Sequence, residues 1–139
     1  MPAARSHSAT LGKADFETLS AFRYQLTSFL RFSERAAKQA GLAPLQYLLL
    51  LHLRGYAGRD WATVGELADR LQASPHGTAA LVSRCEGQGL VTRKRSKVDL
   101  RCVEIHLTRK AMVVLNRVAA LHREELRVLV ARVPAASIR

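Results

Sequence analysis

The stretch ELADRLQASPHGTAALVSRCEGQGLVTRKRSKVDLRCVEIHLTRKA, residues 66–111, decides the fold. Glu66 stands three residues after Thr63, the spacing of a capping box in which hydroxyl and carboxylate each satisfy an orphan amide, so a short helix is expected over 64–71. Gln72-Ala73 reads as a turn. Ser74 and Pro75 have N-cap and first-turn chemistry for a second helix running to about Gln88, which Gly89 closes. Two short helices across a tight turn make a helix-turn-helix pattern. Beyond Gly89 the period changes. LVTRKR and RCVEIHLT are β-prone, the second alternating Cys102, Glu104 and His106 against Val103, Ile105 and Leu107, with the basic SKVDL between them. A β-hairpin with a charged tip is therefore expected. Helix-turn-helix followed by basic hairpin is the order of a winged helix, which puts one helix in a DNA major groove and the wing against backbone or minor groove.

Working outward, Leu19, Phe22, Leu26 and Phe29 recur at spacings of three and four, predicting a helix over 15–40 that Gly41 ends. Pro44 opens a second helix, over 44–54, whose LQYLLLLHL run is apolar nearly all round and thus central and buried; Gly55 stops it. WATV can supply a short strand. Thr108 can cap a last long helix over 108–133, ended by Pro134. The fold class is mainly α with a small β-hairpin (α+β). Residues 1–14 are expected to form a flexible N-terminus and 15–139 a single domain, with a winged-helix lobe over about 44–107.

The chain of 139 residues is long enough for one compact domain with a real core, and its 48% hydrophobic and 24% charged residues are ordinary for a globular protein. Leu48 to Leu51 is far too short an apolar run to cross a membrane, and MPAARSHSATLGK has no apolar signal region, so a cytoplasmic address is expected. Charge is the outstanding feature: 22 Lys and Arg against 11 Asp and Glu leave +11. Segment 91–110 holds close to half of it, in Arg93, Lys94, Arg95, Lys97, Arg101, Arg109 and Lys110 against Asp99 and Glu104. Focused cationic charge of this kind favours a polyanionic partner, double-stranded DNA before any membrane. Cys85 and Cys102 form neither a disulfide framework nor a metal-ligand cluster. There is no phosphate-cradling glycine loop and no G-x-S-x-G, and His7, His52, His76, His106 and His122 do not pair with acids in a catalytic pattern, so neither enzyme activity nor a cofactor is expected.

Taken together, the ELA of the first short helix, LVSR in the second, GLV at its end, the Asp99-x-Arg101 pair of the wing and the Leu107-Thr108 before the last helix resemble the MarR (multiple antibiotic resistance regulator) transcription factors, without a gap. The resemblance covers roughly residues 15–133. It implies a homodimer built from the first and last helices, about 15–40 and 108–133, bound to a pseudo-palindromic site with one winged helix per half-site. It also implies that Arg101 enters the minor groove with Asp99 holding it in place. Several positions depart from the family's habit. Thr78 stands where Val is usual and Cys85 where Leu is usual. Gly77 and Ala80 replace Thr-like and Arg-like residues, which makes base readout sparse, and Ala111 replaces a glycine. The chain ends at Arg139, where relatives continue into a further dimerisation helix, so a smaller dimer interface is expected.

The residues expected to face DNA are Ser74, His76, Gly77, Ala79, Ala80, Ser83 and Arg84 on the second short helix, and Arg93, Lys94, Arg95, Lys97, Asp99 and Arg101 on the wing. His76 can reach a base or phosphate, Arg84 a phosphate, and Ala79 and Ala80 offer only methyl contact or close approach. Met112, Leu115, Ala119, His122, Leu126, Leu129 and Val133 form a seam-like stripe along the last helix. This stripe and that of the first helix either face their own core or pair with a second chain; two long apolar faces with little globule to cover them favour pairing. The resemblance further implies a small aromatic or anionic effector in a cleft between dimer helices and lobe, for which Phe22, Arg23, Phe29, Tyr47, His52 and Tyr56 are the candidate lining. Cys85 is expected to be a buried, inert thiol, and Cys102, amid basic residues, to have a lowered pKa. The function expected is that of a sequence-specific dimeric repressor responsive to a ligand. The alternatives are a low-specificity architectural DNA-coating protein and an adaptor that has lost DNA binding.

Overall fold

The computed structural model describes residues 10–133. Most of the expected flexible N-terminus, Pro134 as a helix stop, and the end of the 15–139 domain lie outside that range. The elements run α1 (Lys13–Gln39), α2 (Pro44–Arg54), β1 (Trp61–Ala62), α3 (Val64–Leu71), α4 (Pro75–Gly87), β2 (Val91–Arg95), β3 (Val103–Leu107) and α5 (Arg109–Arg132). Helix α1 starts at Lys13 rather than 15 because the Asp15 carboxylate accepts from the Gly12 N–H at 2.9 Å, satisfying an amide at the helix start. It ends in a Schellman motif: Gly41, at φ +83°, donates to the Lys38 carbonyl while Leu42 donates to Ala37. Helix α4 ends the same way around Gly89, at φ +73°, with Leu90 donating to Cys85. Between α3 and α4 the left-handed position is held by Gln72, whose side chain donates to the Asp69 carbonyl at 2.7 Å.

The capping box forms as its spacing predicts. Thr63 Oγ1 accepts from the Glu66 N–H at 3.2 Å, and Glu66 Oε1 accepts from the Thr63 N–H at 2.9 Å. Thr108 caps α5 by accepting from the Ala111 N–H, while its hydroxyl also reaches the Gly89 carbonyl. That second bond ties the start of α5 to the end of α4. The hairpin is part of a three-stranded antiparallel sheet in the order β1-β3-β2, with Ala62 opposite Ile105 and Arg93 opposite Ile105 on the other side.

Helix α2 lies at the centre, against α1, α3, α4, α5 and the sheet. Tyr47, Leu49, Leu50 and Leu53 are its buried side, while Leu45 stays exposed, so the helix is less enclosed than its composition suggests. The core closes with Leu67 of α3, Leu81, Val82 and Cys85 of α4, Val91 and Ile105 of the sheet, and Leu115 and Val118 of α5.

The stripes of α1 and α5 divide. Near the lobe they meet each other within one chain: His122 is buried, stacked on Tyr47 with ring centroids 4.6 Å apart and met edge-on by Phe29 and Phe32. Its Nδ1 lies 2.8 Å from the Val118 carbonyl and therefore donates, and its Nε2 lies 2.7 Å from Ser33 Oγ. His122 is thus a core residue of its own subunit. Farther out, Phe16, Leu19 and Phe22 of α1 and Leu121, Leu126 and Val130 of α5 are exposed.

Candidate nucleic-acid interface

Helix α4 has two sides. Thr78, Leu81, Val82 and Cys85 are buried against the core, which leaves Ser74, His76, Gly77, Ala80, Ser83 and Arg84 exposed and Ala79 half-buried. Ser74 caps the helix by accepting from the Gly77 N–H at 3.0 Å. A Cβ on residue 77 would lie 3.0 Å from that same hydroxyl, so the glycine gives the cap room as well as leaving a flat surface. Thr78 carries a cost: its Oγ1 is buried and has no hydrogen-bond partner among the described residues.

The wing leaves Lys94, Arg95 and Lys97 exposed. Arg93 differs from them. Its Nη2 donates to Ser83 Oγ at 2.7 Å and its Nε lies 3.5 Å from Glu86, so it clamps β2 onto α4, and both Arg93 and Ser83 are engaged with each other.

The tip of the wing is a tightly bonded turn. Ser96, buried at its base, donates its N–H to the Cys102 carbonyl and accepts at Oγ from the Val98 and Asp99 N–H groups. Asp99 Oδ1 then accepts from the Arg101 N–H at 3.0 Å and from its Nε at 3.4 Å. The Arg101 side chain is still 93% exposed. Its backbone N–H first, then its guanidinium, hold the Asp99 carboxyl below the usual carboxylate range. Ser96 is the residue that periodicity could not single out; a serine inside a cationic run was the only signal.

Cys102 departs from expectation. Its pKa is raised, first by desolvation and then by the Asp99 carboxylate, whose Oδ2 lies 3.6 Å from Sγ and outweighs the neighbouring cation. The Cys85 thiol is pushed up to about 11 by burial, in keeping with an inert role.

The six residues expected to line an effector cleft fall in separate places. Phe29 and Tyr47 meet on His122. The Tyr56 hydroxyl donates to Glu66 Oε2 at 2.6 Å, beside Arg59, which pairs with the same carboxylate and lies over the rings of Tyr56 and Trp61. The pKa of His52 is lowered by burial and by nearby Arg70, while Phe22 and Arg23 are exposed on α1. One open cleft, of about 460 Å³, lies between the ends of α1 and α4 and the start of α5, with Leu42, Leu90 and Val113 in its wall and Lys110 and Arg117 beside them. Among the described residues there is no group of three or more His, Cys, Asp or Glu able to hold a metal ion. None of the described helices is long and apolar enough to cross a membrane.

Residues 40–101, which carry α2, α3, α4, β2 and the wing turn, match the sequence model of the MarR family. No curated relative matches the chain. Among solved structures, a MarR family protein from Bacillus stearothermophilus superposes with a TM-score of 0.75 at 24% identity, covering 87% of this chain and 82% of that one. AbsC, a MarR family transcriptional regulator from Streptomyces coelicolor, gives 0.71 at 21% identity, over 86% of this chain and 80% of that one. MepR of S. aureus, solved as a complex with DNA, gives 0.69 at 18% identity, over 91% and 88%. At these identities the superpositions establish a shared fold. Residues 40–101 thus carry the sequence pattern of the MarR family, and the described chain has the fold of that family's solved members.

Proposed function

We propose that the protein is a dimeric, sequence-specific repressor that grips a pseudo-palindromic DNA site through α4 and the wing and releases it in response to a small molecule. The observation that carries this reading is the wing turn: Asp99 fixes Arg101 at two points, yet leaves its side chain 93% exposed. Presenting a preorganised cation at the end of a finger reduces the ordering cost of inserting it into a narrow, electronegative minor groove. Lys94, Arg95 and Lys97 supply phosphate contacts beside it, while His76 and Arg84 supply the longer reach from α4. MepR, which shares this fold, was solved bound to DNA.

Support for the dimer comes from the outer parts of α1 and α5, where Phe16, Leu19, Leu126 and Val130 are exposed among the described residues. A small aromatic or anionic effector acting at the junction of these helices with the lobe, where Phe29 and Tyr47 meet on His122, would change the spacing of the two lobes. A few kcal/mol of differential binding suffices for that coupling.

A second reading, an architectural protein with little sequence preference, draws support from α4 itself. Gly77, Ala79 and Ala80 cannot donate from their side chains, and Ser83 is engaged by Arg93. Selection of bound duplexes from a random pool decides between them. The repressor yields a palindrome bound roughly a thousandfold or more tighter than bulk DNA, whereas the architectural protein yields no consensus.

A further inference from the structure

The turn that displays Arg101 displays two side chains of another kind. Val98 is 98% exposed and Leu100 69%, on either side of Asp99. Single exposed apolar residues are ordinary on protein surfaces. Here two of them share the tip of one cationic hairpin, neither belongs to the core, and both sit on a turn held by Ser96 Oγ and Asp99 Oδ1.

A partner for such a tip has to be anionic and also offer an apolar surface narrow enough for a single turn. The minor groove of duplex DNA has both properties: phosphates line its rims, and deoxyribose carbons form its walls. An anionic lipid surface shares the chemistry, but membrane binding scales with buried apolar area, and two side chains on a hydrogen-bonded turn bury too little. We propose that Val98 and Leu100 are minor-groove contacts of the wing, lying against the deoxyribose walls next to the Arg101 guanidinium and excluding water from it. Apolar side chains used in this way are a general device of minor-groove binders. The pair also becomes a specificity element. It tolerates the floor of A·T pairs and is obstructed by the guanine amino group that G·C pairs place there. This inference rests on the DNA-binding reading above.

The test compares the wild-type chain with the double variant Val98→Ser/Leu100→Ser, which keeps every charge and alters only exposed positions. The probes are alternating A·T, G·C and I·C duplexes about 30 base pairs long, enough for two half-sites. Inosine lacks the guanine amino group, so the I·C duplex keeps a G·C-like major groove with an A·T-like minor groove. Wild type is expected to prefer both A·T and I·C over G·C. The double variant is expected to bind A·T and I·C roughly tenfold more weakly, losing that preference, with an unchanged salt slope because no phosphate contact is removed. An unchanged affinity and preference in the variant, with wild type bound to DNA, overturns this inference alone. Failure of wild type to bind these three duplexes and any duplex from the random pool overturns the DNA-binding reading and this one with it. Variant-sensitive binding to phosphatidylserine–phosphatidylcholine vesicles, with the duplex preference intact, assigns the pair to a lipid surface and also overturns it.

Discussion

Arg93 Nη2 donates to Ser83 Oγ at 2.7 Å, joining the first wing strand to the exposed face of α4. The two surfaces proposed to meet DNA are therefore joined to each other, with Glu86 at 3.5 Å from Arg93 Nε as a second fastening. On the proposed DNA-binding reading, Arg93 sets the angle between helix and wing rather than serving as a free phosphate ligand.

Removing either partner loosens that joint. Ser83→Ala and Arg93→Ala are each expected to cost about 0.5–1 kcal/mol of stability, a modest figure because the pair is partly solvated. The double variant should cost less than the sum of the two, as a double-mutant cycle by urea unfolding would show; strict additivity would mean the contact contributes nothing.

Thr78→Val should stabilise the protein by about 1 kcal/mol, because it removes a buried hydroxyl without a partner while keeping the side-chain shape. A rise in the urea midpoint at unchanged slope is the expected result. A fall would mean that the hydroxyl is satisfied in solution.

Much of this architecture was legible in the chain. Ser74-Pro75, Thr63 with Glu66, Gly41 and Gly89 act through bonds to residues a few positions away, so local chemistry locates those helix ends. Asp99 and Arg101 are equally local, and their pairing was expected. What stayed hidden depends on distant packing. Ser33 and His122 are 89 positions apart, and periodicity put His122 on a seam-like stripe without saying which chain it meets; Tyr47 and Ser33 draw it into its own core. The rise in the Cys102 pKa likewise depends on where the wing turn sets the Asp99 carboxylate, not on the count of nearby cations. Glu66 was legible as a cap, but its bonds to Tyr56 and Arg59 were not.

Those bonds make Glu66 an acid-sensitive fastening. Burial pushes its carboxyl upward, but the hydrogen bonds from Tyr56 and Thr63 and the adjacent Arg59 outweigh burial and hold it below the usual carboxylate range. A depressed folded-state pKa means the contribution is fully present above the unfolded pKa and is lost as pH falls through the folded value. Glu66→Gln should therefore be less stable than wild type at pH 7, with the gap narrowing as pH drops below about 4. A gap of constant size across that range, in urea melts, would deny the carboxylate this role.

The thiols should be slow. With both pKa values raised, Cys102 should react with iodoacetamide at neutral pH more slowly than a free cysteine, and Cys85 only as the protein unfolds. Rapid alkylation of Cys102 in the folded protein would contradict the position assigned to Asp99.

Arg101→Ala should weaken binding to duplex DNA and flatten its salt dependence. If a dimer neutralises roughly eight phosphates, log K falls with log salt at a slope of about −7, and loss of one cation per protomer reduces it by about 2. A variant with wild-type affinity and slope would mean that Arg101 does not touch DNA, whereas no duplex binding by either chain would favour the adaptor reading.

The central claim is that two copies of this chain sit on one duplex, each presenting α4 and its wing to a half-site. The mass of the complex formed on a duplex selected from the random pool, measured by native mass spectrometry or sedimentation, tests it most directly. Two chains per duplex on a palindromic consensus is the predicted result. A single chain per duplex, or a ladder of masses rising with duplex length and no consensus, would contradict it.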